Sequence, residues 1–350
     1  MVKAVVFAVP GDLATPTGGY TYDRRIIDEL RRLGWSVDAL DIGEDFPRPT
    51  AKTRGLAFAR LGAIPVGRGI VIDGLAFGVL QNEAKALRTT HPLVALVHHP
   101  LAFETGLSAQ EAQALQASER DALSAAHWIV VTSAATARLL VGEYGVSPER
   151  LTVVRPGTDR PETVVRGHGG TVALLAVGSI VPRKGYDVLV AALAQVKDLP
   201  WRLMIAGDRM RSAETARRLE QDIVTLGLGD RITLLGAVGS ERLDVLYAAA
   251  DLFVVPSRFE GYGMAFAEAM AHGLPVVATT AGAISETVPA DAGILVEPDD
   301  AGALAGALRQ LISCHDARSK LAAGARRTAG ALPTWRESGA LFARVLDGVL

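Results

Sequence analysis

Leu252-Phe-Val-Val-Pro-Ser-Arg-Phe-Glu-Gly-Tyr-Gly-Met-Ala-Phe-Ala-Glu-Ala-Met270 runs from strand to loop to helix. The apolar run Leu252–Val255 stops at Pro256, a loop with two glycines follows, and helix formers take over from Gly263. Gly261 and Gly263 allow the backbone to approach a ligand closely. A helix starting near Gly263 leaves the amides of Gly263, Met264 and Ala265 without intrahelical partners, which makes an anion site. Glu260 lies in the loop and Glu268 inside the helix, about 7 Å along its axis at ~1.5 Å per residue. Two carboxylates so spaced can accept hydrogen bonds from two separate hydroxylated groups, with amides facing phosphate between them. A nucleotide sugar presents its groups in that order: sugar, diphosphate, ribose. Read singly, each glutamate is also consistent with an ordinary exposed residue.

The same strand–helix rhythm extends in both directions. Strand-like runs fall at Val2–Val9, Ser36–Leu40, Gly69–Ile72, Leu93–Val97, Trp128–Val131 and Leu151–Val154. They resume at Thr171–Val177, Arg202–Ile205, Ile232–Leu235, Leu252–Val255, Pro275–Ala278 and Gly293–Val296. Helical segments such as Tyr22–Leu33, which Gly34 can end in a left-handed cap, and Asp187–Val196 lie between them. Continuously apolar strands separated by helices predict parallel sheets covered on both faces. Arg155–Gly170, rich in glycine and proline and without periodicity, reads as a linker. The expected architecture is α/β: two Rossmann-like domains whose parallel sheets face each other across a cleft, ligands lying outside the carboxyl ends of the strands.

Other strand-end loops carry chemistry. Val177-Gly-Ser-Ile-Val-Pro-Arg-Lys-Gly-Tyr186 places Arg183 and Lys184 just before a helix. Positive charge there opposes the helix dipole, a conflict that a bound phosphate would offset. Gly18-Gly19 precedes the first helix and permits another close backbone approach. His98-His99-Pro100 follows the strand Leu93–Val97, where an imidazole could donate to a substrate oxygen. Adjacent residues on extended chain point opposite ways, so the histidine pair is not read as a metal site. The Gly261/Gly263 segment has Phe266 where a dinucleotide fingerprint needs its third glycine. No Walker lysine motif, G-x-S-x-G elbow or strand-end Asp-x-Asp is present.

Bulk properties narrow the classes. The chain has 350 residues, 49% apolar and 21% charged, enough for two cores. A formal net charge of −2 argues against a nucleic-acid binder. The single cysteine, Cys314, excludes an intrachain disulfide framework; it sits among helix-like residues and reads as inert. The first ten residues do not resemble a signal peptide, and no run reaches ~18 apolar residues, so the expected compartment is the cytoplasm. Arg48, Lys52, Arg54, Arg60 and Arg68 lie between Asp45 and Asp73 with no acid among them. That run reads first as a solvated helix face; the sharper reading is contact with an anionic acceptor or a membrane surface.

In this order, these elements resemble the retaining glycosyltransferases of family 4, which have the GT-B fold. The likeness covers nearly the whole chain and is strongest from Leu174 to Pro298. Glu260 and Glu268 match the family's E-x7-E motif, and Ala281-Gly-Ala-Ile-Ser-Glu286 resembles its G-G-x-x-E stretch with alanine for one glycine. Lys184-Gly185 matches the donor-phosphate lysine, Gly18-Gly19 the N-terminal glycine pair and His99 the cleft histidine. Arg155-Pro-Gly-Thr-Asp159 resembles the interdomain connection, and Pro333-Thr-Trp335 with the helix after it the tail that returns to the N-terminal domain. The resemblance implies an acceptor-binding domain of residues 1–158 plus 335–350 and a donor-binding domain of residues 159–334.

It further implies transfer of a hexose from a nucleotide-diphosphate sugar to an unidentified acceptor, with retention, without metal or other cofactor. Glu260 would meet the sugar hydroxyls and Glu268 the ribose. Gly261, Tyr262, Gly263 and Met264 would line the sugar and phosphate site, Lys184 would neutralise the leaving diphosphate, and His99 would approach the transferred sugar. The family's usual arginine is replaced by Ser179, which leaves Arg183 as the candidate second cation. GT-B architecture also serves phosphorylases and a sugar-nucleotide epimerase, and a nucleotide-sugar-binding pseudoenzyme is the non-catalytic alternative.

Overall fold

The structure, a computed structural model, describes residues 3–161 and 170–350. Val2 and residues 162–169 of the expected linker lie outside the described residues; its flanks, 155–161 and 170, contain no helix or strand. The chain forms two compact units, Met1–Gly157 with Pro333–Leu350, and Thr158–Leu332.

The first unit holds β1 (Ala4–Val9), β2 (Ser36–Asp41), β3 (Gly69–Asp73), β4 (Leu93–Val97), β5 (Trp128–Val131) and β6 (Leu151–Val153). They make one sheet in the order β2-β1-β3-β4-β5-β6, with every pairing parallel. The second unit holds β7 (Val172–Val177), β8 (Trp201–Ala206), β9 (Ile232–Gly236), β10 (Leu252–Val254), β11 (Val276–Thr279) and β12 (Gly293–Val296). Their order is β12-β11-β10-β7-β8-β9, again all parallel. Each sheet is doubly wound, as the apolar runs predict. β3, β4 and β10 are buried along their whole length because helices cover both faces. Each sheet also reverses its winding at one point, between β1 and β3 and between β7 and β10. Loops diverge there and leave a crevice at the carboxyl ends.

Local chemistry sets the helix ends. The first helix spans Gly18–Arg32, earlier than expected, because Thr17 accepts the Tyr20 N–H and caps it. It ends as expected: Gly34 adopts φ +87°, and the Trp35 N–H reaches the Leu30 carbonyl at 3.0 Å. The helix Met264–Ala271 begins immediately after Gly263, whose φ of +89° suits glycine and which offers no capping side chain. Cys314 sits at a helix junction. It lies between the helices Ala301–Ser313 and His315–Ala331, is exposed, and its sulfur caps the second helix by accepting the Ala317 N–H at 3.4 Å.

The last helix, Trp335–Val349, belongs to the first unit. A Thr334–Glu337 capping box starts it. Gly339 lies so close to Glu29 that a Cβ there would sit 2.3 Å from the Glu29 Cβ, so the two helices touch backbone to side chain. Phe342 meets Phe7, Trp335 meets Tyr22, each pair 6.0 Å between ring centroids, and Ser338 donates to the Arg155 carbonyl at 2.7 Å.

The four arginines of the basic run are paired with carboxylates. Arg48 faces Glu111, Arg54 faces Glu83, Arg60 faces Asp41 and Arg68 faces Asp38, all within 3.2 Å. These acids come from other elements, and a window of sequence could not show them. Four of the five basic residues therefore sit in ion pairs, in keeping with a solvated face, and Lys52 is exposed. Among the described residues no helix is long and apolar enough to cross a membrane.

Candidate functional site

In the second unit, β7 and β10 are neighbours, and the loops that follow them converge. The first loop is built around two close approaches. Gly178 continues β7; a Cβ on it would lie 2.7 Å from the Lys184 Cε. Gly185, at φ +67°, sits where a Cβ would be 2.2 Å from the Pro256 carbonyl oxygen in the second loop. Between them Pro182–Lys184 forms a single 3-10 turn. Arg258 clamps this turn: its amide donates to the Arg183 carbonyl at 2.7 Å, and its guanidinium reaches Asp187 and Asp299, both at 2.7 Å.

The turn delivers Lys184 and Arg183 to one carboxylate. Lys184 Nζ lies 2.6 Å from Glu260 Oε1, and Arg183 Nη1 lies 3.3 Å from Oε2 and donates to the Phe259 carbonyl at 2.7 Å. Ser257 donates a further bond to Oε1 at 2.6 Å. Burial alone would raise the Glu260 pKa, but the charges of Lys184 and Arg183 outweigh it and bring it down to about 2. Glu260 is thus ionised, only 7% exposed, and flanked by two cations. Arg183, the candidate replacement at a site where Ser179 stands for arginine, turns inward rather than to solvent. Ser179 itself is half-buried, its carbonyl accepting the Val181 N–H.

The backbone of Glu260 is held from a third loop. Ala283 donates to its carbonyl at 2.9 Å, and a Cβ on Gly282, at φ +62°, would lie 2.3 Å from that oxygen. Gly261, Tyr262 and Gly263 are buried, with the Tyr262 carbonyl accepting from the Thr287 hydroxyl at 2.7 Å; Met264 is half-buried. Glu268, half-buried on the helix that follows, accepts from the Tyr247 hydroxyl at 2.9 Å. Its pKa is pushed up to about 7, first by burial and then by Asp159 and Asp244, against the Tyr247 hydrogen bond. The two glutamates therefore differ in charge behaviour: Lys184 and Arg183 hold Glu260 ionised at neutral pH, whereas burial brings the pKa of Glu268 up to about 7.

In the first unit the reversal point between β1 and β3 gathers a different group. His98, directly after β4, places Nε2 3.1 Å from Asp23 Oδ1 and 3.2 Å from Asp73 Oδ2. Asp23 comes from the first helix and is fully buried; Asp73 ends β3 and is 2% exposed. A Cβ on Gly19 would lie 3.3 Å from the His98 ring, so the glycine makes room for it. Burial disfavours the charged ring, but Asp23 and then Asp73 outweigh it and push its pKa up to about 10. The ligand-type atoms of Asp23, Asp73 and His98 lie within 4.8 Å of one another, the only such trio among the described residues. Both carboxylates already meet the ring, and the trio reads as an ion pair. His99 turns elsewhere, its Nε2 3.5 Å from Glu104. The two histidines diverge, as expected for neighbours on extended chain, and the ring beside the glycine pair is that of His98. Gly18 is exposed at the start of the first helix. The loop carrying both histidines is anchored by Glu119, a buried carboxyl that accepts the Leu101 N–H at 2.9 Å and whose pKa burial pushes up to about 8.

Several of these residues escaped the sequence reading. Asp73 had a usable signal, an acid at the carboxyl end of an apolar strand. Ser257 lies in the loop of Glu260. Arg258 lies in that loop as well, whereas Tyr247, Asp23 and Glu119 come from other elements, and no local pattern marks them.

Comparison with known proteins agrees with this geometry. Residues 171–314 match the family model described as glycosyl transferases group 1, and residues 70–161 match glycosyltransferase family 4. A D-inositol 3-phosphate glycosyltransferase of Geodermatophilus obscurus is 34% identical over 270 residues, which is 72% of this chain and 58% of that protein. This chain thus spans about three-fifths of the length of such relatives. Among solved structures, sucrose-phosphate synthase from Thermosynechococcus elongatus superposes with a TM-score of 0.85 at 25% identity, over 99% of this chain and 98% of the other. Anabaena HepE, solved in complex with UDP-glucose, gives a TM-score of 0.78 at 20% identity, with 99% of each chain covered. Two doubly wound parallel sheets, a C-terminal helix docked on the first unit, the E-x7-E pair and these matches lead to one statement: the chain belongs to glycosyltransferase family 4 and has the GT-B fold.

Proposed function

We propose that this protein transfers a hexose from a nucleotide-diphosphate sugar to an acceptor, with retention of anomeric configuration and without a metal. The observation that carries this reading is the pairing of Lys184 and Arg183 on Glu260 at the β7/β10 reversal point. The trio holds one net positive charge beside a helix start that no side chain caps. Preorganised cations and amides stabilise the charge that develops on a departing diphosphate, and they cost no reorganisation when it forms. The second unit would bind the donor and the first the acceptor.

Glu260 would both fix the two cations and meet the sugar. A carboxylate offers about four acceptor positions. Oε1 already receives Lys184 and Ser257, whereas Oε2 receives only Arg183, which leaves room for a sugar hydroxyl. Glu268 would accept from the ribose, and Gly261, Tyr262, Gly263 and Met264 would line the sugar and diphosphate. Gly18, Gly19 and the His98–His99 loop would contribute from the first unit, with His99 as the family match and Ser179 beside the diphosphate. In a retaining reaction of this type the leaving phosphate takes the acceptor's proton, so no separate base is required.

The test is a thermal-shift screen against nucleoside diphosphates and their sugars, followed by transfer assays with the stabilising donor. A binder at a hundred times its Kd stabilises by ~2.7 kcal/mol. Turnover of the donor to an isomer without acceptor would identify an epimerase instead. An NMR time course whose first product has the inverted anomer would sink the retaining assignment.

A further inference from the structure

Among the described residues, His98 is the one histidine with two buried carboxylates on a single ring nitrogen. Nε2 faces both Asp23 and Asp73, and Gly19 packs against the same edge of the ring. The backbone of His98 is fixed as well, its carbonyl accepting from the Thr132 hydroxyl at 3.1 Å, and the edge of the Tyr22 ring closes another side at 5.4 Å between centroids. Nδ1 is the remaining polar atom. Among the described residues it makes no hydrogen bond, it is not sealed in the interior, and the side chain is 19% exposed.

We infer that Asp23 and Asp73 are positioning residues that hold His98 as a doubly protonated imidazolium, so that its Nδ1–H is a fixed, charged hydrogen-bond donor to an oxygen of the sugar substrate or its phosphate. This rests on the proposed transferase reading and deepens it. Two carboxylates on Nε2 keep that nitrogen protonated, and the charge they supply keeps the proton on Nδ1 too. A ring in that state can donate but cannot accept. His98 therefore serves as an electrostatic donor and not as a general base, in keeping with a reaction in which the leaving phosphate takes the acceptor's proton. A donor of this kind helps most where negative charge grows during the reaction. Asp23 Oδ2 is buried without a partner. Burial and the neighbouring Asp73 raise the Asp23 pKa to about 7 against the pull of His98, so Asp23 carries its full charge above neutrality, where the measurement at pH 8 falls. Among the described residues, the titratable groups facing His98 are Asp23 from the first helix, Asp73 from β3 and Tyr22, which remains protonated because burial raises its pKa.

The first measurement needs no turnover. In chelator-treated full-length protein carrying 15N-labelled histidine, the His98 signals, assigned by their loss in His98→Gln, should show both ring nitrogens protonated at pH 8. A neutral ring at pH 8 would overturn the inference. The second uses Asp23→Asn, which keeps an oxygen acceptor for Nε2–H but removes a charge. The His98 titration should then fall into the range of pH 6–9, and kcat for transfer should acquire a matching alkaline limb of at least fivefold that the wild type lacks. The donor KM should stay within twofold. A purely structural role for Asp23 would leave the shape of the pH profile unchanged, and that result would reject the clamp. Asp73→Asn, which retains the cap on the Leu75 N–H, applies the same test if Asp23→Asn does not fold. Wild-type protein that transfers nothing from any donor would count against the proposed function alone, because the NMR result stands without it.

Discussion

Removing Lys184 or Arg183 singly is the sharpest perturbation of the donor site. Glu260 carries one negative charge, with Lys184 Nζ at 2.6 Å and Arg183 Nη1 at 3.3 Å, so the trio is one unit positive and either deletion makes it neutral. The diphosphate it is proposed to face carries about two negative charges, and loss of one preorganised partner typically costs about 3–4 kcal/mol, or 10²–10³ in rate. Lys184→Ala should fall in that range. Arg183→Ala should cost less, because its guanidinium lies farther from the carboxylate and is tethered to the Phe259 carbonyl; a loss of more than tenfold, ~1.4 kcal/mol, is expected. The assay is kcat/KM for the donor, with thermal unfolding measured in parallel. Each single variant leaves Glu260 one cation, so its stability penalty should stay below the ~3–5 kcal/mol expected of an uncompensated buried charge. The Arg183→Ala/Lys184→Ala double variant should incur that penalty, and Glu260→Gln in the same background should relieve it. Wild-type kcat/KM for Arg183→Ala beside a crippled Lys184→Ala would refute the two-cation reasoning and leave lysine as the sole cation.

Three further outcomes follow from the same geometry. Glu268, with a folded pKa near 7 against an ordinary 4.5, favours the folded state fully below pH 4.5, and that advantage is lost as pH rises through 7. Glu268→Gln should therefore be more stable than wild type at pH 8, by on the order of 1–3 kcal/mol, and equal to it near pH 4, while binding nucleoside diphosphate more weakly; equal unfolding temperatures at pH 8 would contradict the shift. Transfer should survive EDTA, and activity lost to chelator and restored by Mg²⁺ or Mn²⁺ would contradict the metal-free site. Gly339→Leu should lower stability by about 1–3 kcal/mol through overpacking against Glu29, and an unchanged unfolding temperature would show that the last helix docks more loosely than described.

Much of the fold was legible because it depends on short-range pattern. Each of the twelve strand-like runs corresponds to a strand, displaced by at most a residue or two, since apolar continuity and flanking turn residues are local properties. Gly34 and Gly263 could be placed at helix ends because a left-handed backbone favours glycine whatever surrounds it. The position of Glu268 one turn into the helix follows from helix geometry, and Gly185 marks the turn beside Lys184.

Tertiary structure decided what depends on distant partners. Sequence showed five basic residues between Asp45 and Asp73 with no acid among them; the fold set a carboxylate from outside that stretch against each of the four arginines. Sequence offered Arg183 as a candidate cation, and only the neighbouring of β7 and β10 shows it sharing a carboxylate with Lys184. Two adjacent histidines could be told apart by alternation but not ranked. Their difference comes from Asp23 and Asp73, which are 75 and 25 positions away from His98 in the chain and meet it only because β1, β3 and β4 are neighbours in the sheet. Charge and protonation depend on distances through space and on burial, and neither is encoded in sequence separation; the identity of the elements was local, and the chemistry of their ends was not.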